Sequence, residues 1–212
     1  MVVALATGAI QVDWLSNIVT AVALVAAIYL WAQMYTSKLV TREEKNRLLG
    51  FIPMFISGVL FFGIFQQQFT VMTIYADVRL DRHMFGWEIP PSLVQSINPI
   101  FIVIFSAIFA TMWTKLGNRQ WSTPVKFGVA NIVISISLFF FLPYSGAAAN
   151  STPMYVIILI LFLFTMAELL LSPVGNALAT KVAPVAFPSR MMAVWMMAVA
   201  MGTSLAGSLA SF

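Results

Sequence analysis

Long apolar runs fill this chain, and several exceed the roughly 20 residues that a helix needs to cross a bilayer. Of its 212 residues, 61% are hydrophobic and only 8% charged, where ordinary soluble domains carry roughly 25% charged residues. A soluble globular fold is therefore excluded, and the expected class is an all-α polytopic membrane protein. Backbone N–H and C=O groups find no water in hydrocarbon, so each crossing segment must satisfy its own hydrogen bonds as a helix.

Five membrane helices are expected over Trp14–Tyr35, Glu43–Ala76, Pro91–Leu116, Pro124–Leu142 and Pro153–Val182, and a terminal sixth over Ser189–Phe212. Thr41-Arg-Glu-Glu44 has the spacing of a capping box. Thr123 and Thr152 are candidate N-caps that place Pro124 and Pro153 at first helical positions. Pro53, Pro99 and Pro173 fall inside helical runs, where each kinks the helix or frees a carbonyl.

Basic residues partition nine to two between alternate connections. Lys38, Arg42, Lys45, Arg47, Lys115, Arg119, Lys126, Lys181 and Arg190 lie on one side, Arg79 and Arg82 on the other. In the second set the charge is offset by Asp77, Asp81 and Glu88, and Pro143–Thr152 carries none. Basic loops stay cytoplasmic, so the expected topology has inward loops at Thr36–Asn46, Gly117–Ser122 and Ala183–Pro188, with both chain ends outward. The amino terminus lacks a basic n-region, which argues against a cleaved signal peptide.

Other function classes fall away on composition. The net charge of +4 resides in short connections rather than on a face for phosphates, so no nucleic acid is expected. There is no cysteine, and the one histidine, His83, sits in an outward loop beside Arg82, where solvation is its expected state. No nucleophile–base set, phosphate loop or metal-spaced cluster can be assembled, so neither enzymatic activity nor a cofactor is expected. Asn150-Ser-Thr fits the glycosylation pattern, a short match.

What remains is the polar content of the helices. Glu168 is the one ionisable residue deep inside an apolar segment, and intramembrane carboxylates line polar cavities or pathways by default. The alternative is a carboxylate held in packed protein with a structural partner. Ser172 follows one turn later on the same face, and Pro173 bends the helix there. Gln66, Gln67 and Gln68 point about 100° apart in a helix, so at most one or two share a cavity, and interhelical hydrogen bonding is the competing role. Asn98, before Pro99, serves either local backbone or a ligand. Trp195 lies inside its segment, where core packing competes with a pocket wall. Gly202-Thr-Ser-Leu-Ala206-Gly207 supplies small residues suited to close helix contact.

Three blocks then resemble the proton-dependent oligopeptide transporter family, a branch of the major facilitator superfamily, in its carboxy-terminal half. Phe65-Gln-Gln67, with Thr-Ile-Tyr-Ala76-Asp77, resembles the seventh helix, and Gln95-Ser-Ile-Asn98-Pro99-Ile-Phe the eighth. Glu168-Leu-Leu-Leu-Ser172-Pro173-Val-Gly175, continuing through Thr180-Lys181-Val-Ala-Pro184 to Met191-Met192-Ala-Val-Trp195 and Gly202, resembles the tenth and eleventh. The resemblance divides the chain into residues 1–40, similar to a linker helix between the family's two halves, and residues 41–212, an incomplete carboxy-terminal bundle.

It implies proton-coupled symport of di- and tripeptides across the cytoplasmic membrane by alternating access, with peptide, proton and lipid bilayer as partners. Residue by residue, Glu168 would meet the peptide's amino end, Asn98 would hydrogen-bond the ligand, and Ser172 and Trp195 would line the pocket. Glu168, Gln66 and Gln67 are the coupling or gating candidates. The family usually has a glutamate at the place of Gln66, and glutamine cannot carry a proton there. The family's first six helices and its twelfth have no counterpart in this sequence, so the missing amino-terminal bundle is itself an expected partner. The alternatives are a truncated remnant or interaction subunit without transport activity, and a related symporter of a non-peptide substrate.

Overall fold

A computed structural model describes residues 12–84, 86–144, 146 and 150–210. The expectations for the amino terminus fall partly on residues 1–11, outside the described residues, as do Ser145, Ala147–Ala149 and the last two residues of the sixth segment. Eight helices are found among the described residues: α1 (Val12–Thr36), α2 (Arg42–Phe65), α3 (Val71–Val78), α4 (Pro91–Gln95), α5 (Ile97–Leu116), α6 (Thr123–Phe139), α7 (Met154–Val182) and α8 (Pro188–Ala210). They supply six segments long and apolar enough to cross a membrane, so the expected all-α, multi-pass membrane architecture holds.

The six sequence segments persist with boundary changes that have local causes. The Thr41 box forms as expected. Glu44 N–H donates to Thr41 Oγ1 at 3.3 Å, and Thr41 N–H donates to Glu44 Oε2 at 2.8 Å. The other two caps do not form as read. Ser122 is the N-cap of α6, without a side-chain bond, and Thr123 is already helical. Thr152 and Pro153 pair instead in a short parallel bridge with Leu80 and Asp81, so α7 starts at Met154. Competition from the Arg79 carbonyl, which accepts Thr152 N–H at 3.1 Å, draws Thr152 out of the cap role.

The second segment is not one α-helix. After Phe65 it tightens into a 3₁₀ turn over Gln66–Phe69 and restarts at Val71, with Thr70 at φ −115, ψ −90. Side-chain bonding within the turn competes with a regular ladder, as Thr70 Oγ1 donates to Gln67 Oε1 at 3.0 Å. The third segment divides at Ser96 into α4 and α5. Pro99 has no N–H to give the Gln95 carbonyl, which removes the bond that would have joined the two. Pro53 and Pro173, by contrast, sit inside unbroken helices.

The chain forms two compact units. One comprises residues 1–66 with 174–212, the other residues 67–173. In the first, α8 packs along both α1 and α2. Backbones approach closely at Gly202, where an added methyl would fall 2.5 Å from Phe62 Cβ and 2.9 Å from the Val59 carbonyl oxygen. The expected role of this small-residue stretch in close helix contact is thus realised. Against α1, Ser204 Oγ donates to the Ser16 carbonyl, and Ser208 Oγ to Asn17 Oδ1 at 3.2 Å. Glu44 also accepts Val185 N–H at 2.9 Å, tying the α7–α8 connection to the start of α2.

The second unit is closed at one end by the connection after α3. Besides the bridge to Thr152, His83–Met84 pairs antiparallel with Trp87–Glu88 around Gly86 at φ +79, a conformation that suits glycine. Arg82 meets Glu88 at 2.9 Å and Asp77 at 3.9 Å, so the charge offset read from the sequence is a physical pairing. Tyr75 and Thr152 hydroxyls lie 2.6 Å apart. Large apolar side chains such as Val103, 76% exposed on α5, form surface that only lipid or protein would cover favourably.

Candidate functional site

The second unit holds, among the described residues, five buried polar atoms without a hydrogen-bond partner, on Gln68, Arg82, Asn98, Trp113 and Glu168, and three of them, Glu168 Oε2, Asn98 Nδ2 and Gln68 Nε2, are on carboxylate or amide side chains. Each is placed by a local feature of the chain. Glu168 is carried midway along α7, the longest helix described, in the apolar run that precedes Pro173. Asn98 is the second residue of α5, just past the break at Ser96, and is 3% exposed. Gln68 is 4% exposed within the 3₁₀ turn. A small crevice in this unit is lined by Gln68, Thr73, Gln95 and Leu161 among others, and Gln95 Nε2 donates across it to Thr73 Oγ1 at 2.5 Å.

Leaving a buried polar group unpaired costs about 1–3 kcal/mol, more when charged, and folded proteins keep few of them. Glu168, Asn98 and Gln68 thus offer one acceptor and two donors that remain open to a polar ligand. A carboxylate accepts from a cation or donor, while amide N–H groups donate to carbonyl oxygens. Among the described residues no group of three or more histidine or carboxylate side chains is placed to hold a metal ion.

The remaining candidates are distributed as follows. Ser172 shares the unit of Glu168 and is half-buried one turn after it. Gln67 is engaged with Thr70, and Gln66, at the end of the first unit, donates from Nε2 to Thr203 Oγ1 at 2.9 Å. The two glutamines singled out from the sequence thus make side-chain bonds, while the third, Gln68, is the buried one with an unsatisfied donor. Trp195 belongs to the first unit and is 1% exposed. Its ring packs edge-on against Phe51 and Phe62, at centroid separations of 6.3 and 6.1 Å. Its indole N–H donates to Asn176 Oδ1 at 2.9 Å. Sequence reasoning missed Asn176, and the one signal for it was a lone amide in an apolar helix.

Carboxylates within apolar membrane helices line polar cavities or pathways by default, and known proteins resemble this chain along nearly its whole length. The POT family model (PTR2) matches residues 3–212. The di-/tripeptide transporter of Lactococcus lactis subsp. lactis (strain IL1403) is 40% identical over 190 residues, 86% of this chain and 38% of that protein. The uncharacterized transporter YclF of Bacillus subtilis (strain 168) is 36% identical over 197 residues, 92% of this chain and 40% of that protein. The chain therefore spans about two fifths of the length of these relatives. Among solved structures, peptide transporter POT in complex with sulfate aligns with a TM-score of 0.88 at 30% identity, covering 100% of this chain and 43% of that one. A POT family transporter in complex with a thioalcohol-conjugated peptide aligns at 0.87 and 34% identity, over 99% of this chain and 44% of that one. Those neighbours carry the all-α membrane architecture read here from hydropathy and the major-facilitator-type fold that the family resemblance implied. With a family match running almost from end to end, this chain belongs to the POT family.

Proposed function

We propose that this chain forms the carboxy-terminal half of a proton-coupled symporter of di- and tripeptides that works by alternating access in the cytoplasmic membrane. The observation that carries the reading is the unpaired, buried Glu168 Oε2 within an apolar helix. A carboxylate at that depth is stable when a cationic partner visits it, and a peptide's ammonium group is such a partner. Asn98, and with it Gln68, supplies N–H donors for peptide carbonyls, and Ser172 adds a hydroxyl one turn beyond Glu168. Trp195 is the remaining residue that this reading assigns to substrate binding. Gln66 and Gln67, at the unwound turn of the second segment, serve gating, and with glutamine at Gln66 the titrating role in this half falls to Glu168.

Residues 1–40 act as the linker helix between the halves and residues 41–212 as the bundle, with the basic connections facing the cytoplasm. Names of relatives support the substrate class, since two of them are di-/tripeptide transporters of Lactococcus lactis. The test is uptake of a labelled dipeptide by vesicles holding the complete transporter, driven by an inward proton gradient. Glu168→Gln should abolish gradient-driven accumulation while the protein inserts normally. Accumulation at the wild-type rate would overturn the reading.

A further inference from the structure

The basic end of the second unit contains a cleft of about 320 Å³ between α5, the start of α6 and α7. Phe109, Met112, Leu116 and Leu170 give it apolar walls, while Trp113, Trp121 and Arg119 line the remainder. Beside it stands Lys126, 7% exposed, with Nζ 3.8 Å from the centre of the Trp113 ring and donating to Gln120 Oε1 at 2.9 Å. Gln120 in turn donates to the Trp113 carbonyl at 2.9 Å, which fixes the short connection around the lysine. Trp113 Nε1 is buried with no acceptor.

The one atom of this cluster without a partner is a donor, Trp113 Nε1, and both of its charges, on Arg119 and Lys126, are positive. Between Glu88 and Glu168 the sequence contains no acidic residue, so the connection has no carboxylate of its own to offer. Glu168 is two residues before Leu170, about 200° around the helix from it. A buried ammonium without a countercharge is costly, and cation–π contact with Trp113 offsets only part of that. Two tryptophans at the helix ends mark the headgroup level, and the apolar walls continue toward the bilayer interior.

We propose that this cleft is a binding site for an anionic phospholipid of the leaflet that faces the basic connections. Its headgroup phosphate accepts from Lys126 and Arg119, and an acyl chain lies against Phe109, Met112 and Leu116. The chemistry is that of an anion held by cations between amphipathic rings, with a hydrophobic tail that a free anion lacks.

Purified, monodisperse protein would be exchanged into phosphatidylglycerol or phosphatidylcholine mixed micelles, and retained lipid counted by native mass spectrometry. The wild type should retain phosphatidylglycerol at least several-fold over phosphatidylcholine. Arg119→Gln, at an exposed position that leaves packing intact, should cut that preference about fivefold, and Lys126→Gln by a similar factor or more. Equal retention of the two lipids by the wild type would overturn the proposal, as would a preference unchanged in both variants. Displacement of phosphatidylglycerol by millimolar inorganic phosphate as completely as by excess lipid would also overturn it, because the site would then hold a free anion.

Discussion

Gly175 and Trp195 face each other so closely that a methyl group at position 175 would fall 2.1 Å from Cζ2 of the indole and 2.6 Å from Cη2. The same ring closes over Gly58, where an added methyl would lie 2.8 Å from Cζ3. Trp195 therefore owes its burial to two missing side chains, and its N–H is satisfied by Asn176, the residue directly after Gly175.

Gly175→Ala should accordingly displace the indole and destabilise the first unit by about 1–3 kcal/mol, the usual cost of overpacking. Trp195→Phe removes the ring atoms that collide, so the double variant should be more stable than the two single losses added together. Thermal unfolding of the four purified proteins in one detergent gives the coupling. Strict additivity would mean that the two positions do not meet.

Gly202 and Gly128 make a matched pair. At Gly202 the added methyl would meet Phe62 Cβ at 2.5 Å and two backbone atoms at 2.9 Å, none of which can rotate away. Gly202→Ala should therefore push α8 from α2 and lower the melting temperature. At Gly128, inside α6, nothing lies within 4 Å, so Gly128→Ala should be neutral or add about 0.5–1 kcal/mol through reduced backbone entropy. Melting curves that rank the two variants the other way would refute the close crossing.

The nine-to-two partition of basic residues sets the orientation proposed above. Asn46, in the first turns of α2, and His83, in the connection after α3, are both exposed at opposite ends of the second segment, and the 212 residues contain no cysteine. Asn46→Cys should resist, and His83→Cys should accept, a membrane-impermeant maleimide applied to intact cells. Labelling of Asn46→Cys alone would invert the topology, and labelling of both would reject the crossing between them.

Hydropathy made the six crossings legible because a bilayer leaves the backbone one solution per apolar run. The Thr41 box was legible for a different reason, since all of its bonds lie within four residues. Gln66–Phe69 was not legible, because a polar triplet inside an apolar run reads alike whether it stays α-helical or tightens. Only the bonds to Thr70 and Thr203 separate the three glutamines. Thr152 was misread because its partner, Leu80, is far away in sequence. Glu168 and Asn98 stood out because polar groups are rare in such segments. That both would carry an unpaired atom within one compact unit depends on folding that no local pattern records.

Glu168 provides the sharpest test of the peptide reading, because its proposed partner is one defined group, the ligand's ammonium. An N-acetylated dipeptide keeps the backbone carbonyls that Asn98 would meet but carries no amino-terminal charge. The complete wild-type transporter should therefore bind a free dipeptide far more tightly than its N-acetyl analogue. Breaking a desolvated charge pair typically costs about 2–5 kcal/mol, or roughly thirty-fold to several-thousand-fold in affinity. Glu168→Gln should lose about that factor for the free dipeptide and little for the acetylated one, so that the variant nearly stops distinguishing them. Binding is measured by titration calorimetry on monodisperse wild type and variant at a single pH. Were Glu168 a packing residue alone, both ligands would weaken together or neither would, and the discrimination would persist unchanged in the variant.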